Sequence, residues 1–312
     1  MITTEAPLVS VDMITYKHEP YIRQAIEGVL SQETTFEYEL IIADDCSPDG
    51  TQAIVEDILR SHPAGYRIKY FRHEKNIGML ANGKFAGEQC KAKYMALCEG
   101  DDYWIDPLKL QKQVSFLEEN PDYLMTYHNR YILDFDGNMI TESLGEFPRS
   151  IPKNRMISTF VPTATMVFRN DISDYLDVNM EDIFSADVAL RAFMSTKGKA
   201  YFMPFFGSVY RQHAGGMSSS LNFLANRELW LKSRITIGKN IKGVSQTDLH
   251  FSKFVIMNDL FFHHLKNKQP LTSMKMLPKM LRSLIISRRI DALKILAGNI
   301  KSLYSNSITA KK

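Results

Sequence analysis

The stretch Leu97-Cys98-Glu99-Gly100-Asp101-Asp102-Tyr103-Trp104 sets three carboxylates within four residues directly after an apolar run, Tyr94 to Leu97. Acids crowded at the end of a buried strand repel one another and lose hydration, so the simplest neighbour for them is a hard, oxygen-seeking cation. The bland alternative is a solvated acidic turn leading into the next helix, with Asp106 as its N-cap and Pro107 at its first position. A second acidic turn, Asp44-Asp45-Cys46-Ser47-Pro48-Asp49-Gly50-Thr51, follows another apolar run, Tyr38 to Ala43. Asp44 and Asp45 could accept hydrogen bonds from a base or a ribose, or simply bond their own turn. Asp187 stands ahead of an apolar-periodic helix, where a carboxylate is either a general base or an N-cap. Glu181 and Asp182 are nearby reserves for the base. Arg211-Gln212-His213-Ala214-Gly215-Gly216 brings a cation and a histidine into a flexible loop, with His213 either a ligand or an ordinary loop residue.

These groups need a frame. Strands are expected at Leu8 to Ile14, Tyr38 to Ala43, Ile68 to Arg72 and Tyr94 to Leu97. Helices are expected over Pro20 to Gln32, Gln52 to Ser61, Leu80 to Cys90, and from Asp106 to Asn120. This alternation implies a mostly parallel α/β sheet with right-handed crossovers. Both acidic turns would then face one edge, where open α/β sheets bind ligands. Asp136-Gly137 marks a hairpin between Tyr123–Phe135 and Asn138–Thr141. Glu146 to Ile157 reads as a loop over the sheet, and Phe160 to Phe168 as a strand. Gly198 stops the helix after Asp187. Tyr201 to Phe206 and Val209-Tyr210 read as two strands, and the chain from Asn222 to about Tyr304 as helical. Trp104 and Trp230 read as packing residues.

The order Val9-Ser10-Val11…Thr15-Tyr16, Asp44-Asp45-Cys46-Ser47-Pro48-Asp49-Gly50-Thr51, Asn76-Ile77-Gly78 and Glu99-Gly100-Asp101-Asp102 resembles the family 2 inverting glycosyltransferases. The likeness is strongest over residues 8–120 and runs on more weakly to about 220. It implies a GT-A fold, a twisted, mostly parallel sheet flanked by helices, here with a C-terminal helical extension. It divides the chain into a catalytic domain, 1–220, and a helical extension with a basic amphipathic tail, 221–312. Glu99-Gly100-Asp101 takes the place of the family's Asp-x-Asp motif. Carried over by position, Thr15 and Tyr16 would line the nucleotide pocket, Asp45 would bond the base with Asp44 beside it, and Asp101 would contact the ribose or the metal. Asp102 would ligate Mg²⁺ or Mn²⁺, with His213 or Arg211 reaching the metal or the diphosphate. Asp187 would be the catalytic base. The implied activity is metal-dependent transfer from a nucleotide-sugar, UDP-linked by first expectation, to a saccharide or lipid-linked saccharide hydroxyl in bacterial surface-polysaccharide or glycolipid assembly. Three departures stand out: Lys17 where many relatives have Asn, Cys46 where Gly or Asn is usual, and Glu99 in place of Asp. Lys17 could add a phosphate contact.

Rival classes fare less well. A dehydrogenase or a nucleotidyltransferase wants a glycine-rich phosphate loop after the first strand, and Thr15-Tyr16-Lys17-His18-Glu19-Pro20 has no glycine. A non-catalytic, glycosyltransferase-like binding or scaffold protein is opposed by Asp45, Asp101, Asp102 and Asp187. A nucleic-acid partner is disfavoured, since the basic residues lie in the tail without aromatic platforms. From Lys266 onward eleven Lys or Arg face one acid, Asp291, while the whole chain of 312 residues carries only +3. Met276, Met280, Leu281, Leu284 and Ile285, then Ile290, Leu293, Leu296, Ala297 and Ile300, recur at helical spacing in that tail. Either an anionic membrane surface or the chain's own body would accept such a stripe. Three cysteines without metal-ligand spacing indicate a reducing compartment. Residues 1–7 lack a signal-peptide pattern, and no apolar run is long enough to span a bilayer. These features fit a cytoplasmic protein, which would be peripheral on the inner face of the membrane if the stripe meets lipid and not the chain's own body.

Overall fold

The computed structural model describes residues 6–216 and 221–309. Residues 1–5, part of the start read as lacking a signal, and Lys311 and Lys312 of the basic tail lie outside them. The chain forms two compact units. One comprises Met1–Ile151, Phe160–Asp177 and Gly198–Gly216; the other comprises Pro152–Thr159, Val178–Lys197 and Met217–Lys312.

The first unit opens with β1 (Val9–Thr15), α1 (Ile22–Leu30), β2 (Tyr38–Asp44), α2 (Thr51–Ser61), β3 (Ile68–Arg72), α3 (Met79–Gln89), β4 (Tyr94–Leu97), β5 (Tyr103–Trp104) and α4 (Lys109–Glu119). It continues with β6 (Tyr123–Leu133), β7 (Met139–Glu142), β8 (Arg149–Ile151), β9 (Val167–Arg169), α5 (Ser173–Leu176) and, after α6 (Ala186–Lys197) of the second unit, β10 (Lys199–Arg211). The strands make one sheet in the order β3-β2-β1-β4-β9-β6-β10-β5, with β7 on β6 and β8 on β10. β3, β2, β1 and β4 run parallel, with Thr15 beside Asp44 and Asp12 beside Leu97. Every residue of β2 is buried, as expected for a parallel strand covered on both faces. In α1 the buried face is Ile22, Ala25, Ile26, Val29 and Leu30, the i, i+3, i+4, i+7, i+8 pattern of a helix with one apolar side. A Cβ on Gly28 would come within 2.7 Å of the Trp104 carbonyl oxygen, so glycine lets α1 lie directly against β5.

The structure corrects several local expectations. Helix α4 starts at Lys109, not behind Asp106. Asp106 forms a turn ahead of it, accepting from the Leu108 N–H at 2.9 Å and from Lys112 Nζ at 2.6 Å. Gln32 Oε1 takes the Leu110 N–H at 2.9 Å, so a side chain from beyond α1 satisfies one orphan donor of α4. The segment read as a loop, 146–157, contains β8, paired antiparallel with β10. The strand expected over 160–168 shrinks to β9, because Pro162 has no N–H and opens a 3₁₀ turn at Thr163–Thr165. β10 is one strand of 13 residues whose register slips against β6 between Met203 and Phe206 and between Phe206 and Ser208. Pro204 and Gly207 fall within those slips, and they made one strand read as two. Trp104 is a packing residue, buried with Nε1 donating to the Ala164 carbonyl at 2.9 Å.

The second unit holds α6, α7 (Phe223–Asn240), α8 (Gln246–Lys266), α9 (Pro270–Ser287) and α10 (Ile290–Thr309). Asn222 and Ser245 cap α7 and α8 with their side chains. Phe251, Phe254 and Met257 of α8, Met280 of α9 and Ala292 of α10 form a core, with Met276, Leu284, Ile295 and Leu296 packed on it. Arg288, at φ 50°, ends α9 in the left-handed conformation, marking a helix junction at Arg288-Arg289. Among the described residues no helix is long and apolar enough to cross a membrane.

Candidate active site at the carboxyl edge of the parallel strands

The parallel register of β1, β2 and β4 brings Thr15, Asp44 and the Glu99–Asp102 turn to the same edge of the first unit's sheet. The Asp45 N–H bonds the Thr15 carbonyl at 3.0 Å and the Gly100 N–H bonds the Ile14 carbonyl at 3.1 Å, tying both acidic turns to the end of β1.

Asp44 is fully buried and already engaged. Its Oδ1 accepts the Ser47 N–H at 2.8 Å, its Oδ2 accepts the Tyr70 hydroxyl at 2.7 Å, and Arg72 Nε stands 3.7 Å away. Burial and the bond to Asp44 push the Tyr70 hydroxyl pKa far up, so it stays a donor. Asp45 receives the Ile77 N–H at 2.7 Å on one oxygen and the Gly78 N–H at 2.9 Å on the other. One carboxylate therefore pins the Asn76-Ile77-Gly78 turn, and each oxygen keeps a further lone pair. Tyr16 and Lys17 are exposed, and Lys17 Nζ sits 5.1 Å from the Tyr16 ring centre.

Asp101 and Asp102 are adjacent but differ in environment. Asp101 Oδ2 lies 3.0 Å from His213 Nε2 and 3.7 Å from His18 Nε2. Burial pushes the Asp101 carboxyl up, but the His213 hydrogen bond and the fields of His18 and His213 outweigh it, leaving its pKa below the ordinary value. Asp102 is buried, and its Oδ1 accepts the Arg211 N–H at 3.0 Å. Burial first, then the Asp101 charge, raise its pKa well above the usual carboxylate range. Arg211 also donates through Nε to the Asp101 carbonyl at 3.0 Å and through Nη2 to Gln24 at 2.8 Å, and it lies over the Tyr21 and Tyr103 rings. It is thus a fixed cation beside the acids. The His213 ring is 4.6 Å from the Tyr21 ring.

His18 was not singled out from the sequence. Its backbone N–H bonds Thr51 Oγ1 at 3.1 Å, which holds the ring over Asp101, and burial lowers its pKa. Its Nδ1 and the Thr15 Oγ1 are buried without a hydrogen-bond partner. A Cβ on Gly100 would fall 2.8 Å from that Thr15 oxygen and 2.9 Å from that His18 nitrogen, so glycine leaves open the space between them. The only sequence signal was position: His18 follows the end of β1 within the loop that carries Tyr16 and Lys17.

Asp187 belongs to the second unit. It lies within the first turn of α6, not ahead of the helix, and its half-buried carboxylate meets Arg191 Nη2 at 3.3 Å, one turn on. Of the reserve candidates, Asp182 is held by Lys232 at 2.6 Å and Glu181 is exposed.

Among the described residues no group of three or more His, Cys, Asp or Glu side chains is arranged to hold a metal by itself. The pair Asp101 and His213 fits a different kind of site, in which a hard cation takes two protein donors and completes its shell with phosphate oxygens and water.

Residues 10–176 match the model of the family described as "Glycosyl transferase family 2". An uncharacterised protein of Mycobacterium tuberculosis is 34% identical over 71% of the chain and 63% of its own length. The chain thus spans less than two thirds of that relative. An Escherichia coli protein named as a UDP-Glc:alpha-D-GlcNAc-diphosphoundecaprenol beta-1,3-glucosyltransferase is 27% identical over 68% of the chain and 80% of its own length. Among solved structures, Staphylococcus aureus TarS (residues 1–349) in complex with UDP-GlcNAc aligns with TM-score 0.62 at 18% identity, covering 92% of this chain and 81% of that one. The mannosyltransferase PcManGT of Pyrobaculum calidifontis, in complex with GDP-Man and Mn²⁺, aligns with TM-score 0.60 at 15% identity over 98% and 83%. At those identities the likeness is one of fold, and it gives the GT-A arrangement.

Proposed function

Because the chain belongs to glycosyl transferase family 2, we propose that it moves a sugar, with inversion, from a nucleoside-diphosphate donor to a saccharide or lipid-linked saccharide hydroxyl in polysaccharide or glycolipid assembly. The observation that carries this reading is the Asp101–His213 pair set beside buried, unpartnered Thr15 Oγ1 and His18 Nδ1 at the carboxyl edge of parallel strands. A UDP-sugar is the favoured donor, in keeping with the UDP-sugars named for the Escherichia coli and Staphylococcus aureus proteins. In this reading residues 1–220 are the catalytic domain and 221–312 its helical extension, and the work is done in the cytoplasm.

Asp101 and His213 would hold Mn²⁺ or Mg²⁺, which supplies charge stabilisation to the leaving diphosphate. The burial of Asp102 and its bond to the Arg211 N–H favour Asp101 over Asp102 as ligand, with Asp102 fixing Arg211 behind it. Thr15, Tyr16 and Asp45 form the nucleotide side, where Asp45 has lone pairs left for a base N–H; Asp44, fully buried on Ser47 and Tyr70, supports that turn from behind and does not itself reach the nucleotide. Arg211 and Lys17 bring positive charge to the diphosphate. The acceptor hydroxyl is a weak nucleophile; Asp187 takes its proton as the new bond forms at the anomeric carbon and the bond to the diphosphate oxygen breaks.

Two substitutions separate these roles. Asp101→Asn should remove the Mn²⁺-dependent part of UDP affinity in calorimetry with circular dichroism unchanged. Asp187→Asn should keep UDP affinity and lower turnover by roughly 10²–10⁴, the usual range for a general base. A donor screen scoring metal-dependent hydrolysis of nucleotide-sugars comes first. Metal-independent UDP binding by the parent, or near-parent turnover by Asp187→Asn, would refute the corresponding assignment.

A further inference from the structure

The tail stripe expected from the sequence divides in two. Met276, Met280 and Leu284 of α9, with Leu296 of α10, turn inward to the core of the second unit. A different row of apolar residues faces solvent. On α9 it is Leu271, Met274, Pro278, Leu281 and Ile285, spaced three and four residues apart, and Leu271 and Ile285 are 79% and 74% exposed. On α10 the same spacing recurs in Ile290, Leu293, Ala297 and Ile300, all exposed, with Ile290 at 72%. Soluble surfaces scatter such residues singly, so an exposed apolar row on each of two successive helices marks an interaction surface.

The charges beside the row decide what it meets. Lys275, Lys279 and Arg282 are exposed on α9, each one residue after a member of the row or a turn from it. At 100° per residue they form a basic strip along its edge. Lys294 and Lys301 stand in the same relation to Leu293 and Ile300 on α10. Residues 270–287 contain no acid, and Asp291 of α10 is taken by Arg155 and Arg289, each at 3.0 Å. A second copy seated on this face would therefore set cations against cations with no carboxylate to answer them. An apolar row edged by Lys and Arg suits an anionic lipid surface, where the side chains enter the acyl boundary and the cations stay with the headgroups.

We propose that the solvent-facing sides of α9 and α10 form a peripheral binding surface for an anionic bilayer. The surface lies wholly in the second unit and is independent of the donor-site assignment, because its test reads binding and not transfer.

The full chain is sedimented with vesicles of phosphatidylcholine alone and with vesicles containing added phosphatidylglycerol. Binding is expected only to the anionic vesicles and is expected to fall as salt is raised. The triple variant Lys275→Ala, Lys279→Ala, Arg282→Ala should lose about a hundredfold in partitioning, since each basic residue near such a surface is worth about a factor of five. The double variant Ile285→Asp, Leu293→Asp changes exposed positions only. It should lose binding while keeping the parent's helical circular dichroism and melting temperature. Equal binding to both vesicle types, or full binding by either variant, overturns the proposal. So does sedimentation-velocity evidence of a dimer that Ile285→Asp, Leu293→Asp abolishes, for the face would then be a seam between copies.

Discussion

Two of the three residues that depart from the family pattern sit in the same unusual backbone conformation. Lys17 has φ 60° and Cys46 has φ 59°, both in the left-handed region. That region disfavours residues with a Cβ and is entered readily by Gly and by Asn, the types expected at these places. At both positions the backbone conformation by itself favours Gly or Asn. Cys46→Gly should stabilise the protein by about 0.5–1 kcal/mol, the relief of left-handed strain less the added chain entropy of glycine. The weak 3.5 Å contact of Cys46 Sγ with the Glu74 carbonyl offsets little of it. Denaturant melts would check this, and a loss of stability would show that the thiol contact outweighs the strain. Most polar positions at the strand edge were legible as residues, because acids after apolar runs are conspicuous. What was not legible was the split between neighbours. Asp101 lies with two histidines and Asp102 is buried on a backbone N–H, and only the strand register decides which is which. His18 was missed because a single histidine in a loop has no periodicity to mark it.

At the scale of elements, the alternating first half could be read from sequence because its helices are one-sided and its strands continuous. The second half obeys pairings that no local pattern announces. β9 is three residues long and is inserted antiparallel between β4 and β6, with Phe168 beside both Met95 and Met125. β8 is equally short and finds its partner only because β10 is long enough to receive it. One strand carries a titratable anomaly. Asp12 lies in the middle of β1 between Ile41 and Leu97, and burial raises its carboxyl from 3.8 to about 7. A folded-state pKa above the unfolded value means that the folded chain holds the proton more tightly. The associated stability is fully present below 3.8 and is lost as pH rises toward about 7. Asp12→Asn, which cannot ionise, should therefore gain on the parent in melting temperature through that window, with the gap constant above it. A gap that does not change with pH would show that Asp12 is not protonated in the fold.

For the molecule as a whole, the grouping of segments is what the linear chain conceals. Residues 152–159 and 178–197 join the C-terminal helices in one compact unit although β8, β9 and β10 of the other unit lie between and beside them in sequence. Asp248 on α8 makes that joining specific. It is fully buried, accepts the Ile157 N–H at 2.7 Å and the Ser158 N–H at 3.4 Å, and also takes the Ser158 hydroxyl. Arg289, at the start of the last helix, reaches it at 3.4 Å and lies over the Phe251 ring of α8. One carboxylate thus holds together a loop before α6, the middle helix and the junction of α9 with α10. Burial raises its pKa above the ordinary value, opposed by the bonds from Ser158, Ile157 and Arg289. Asp248→Ala would leave the Ile157 N–H unpaired and Arg289 with Asp291 as its remaining carboxylate. Removing one member of a buried ion pair costs about 3–5 kcal/mol when nothing replaces it, and the Asp291 contact, 3.0 Å from Arg289 Nη2, puts the expected cost near the lower end. Asp248→Asn keeps an acceptor for both N–H groups and should cost less. Hydrogen exchange would locate the effect: faster exchange in 152–159 and in α8 to α10, with β1, β2 and β4 protected as in the parent. Uniform acceleration through both units would mean instead that Asp248 supports the whole molecule.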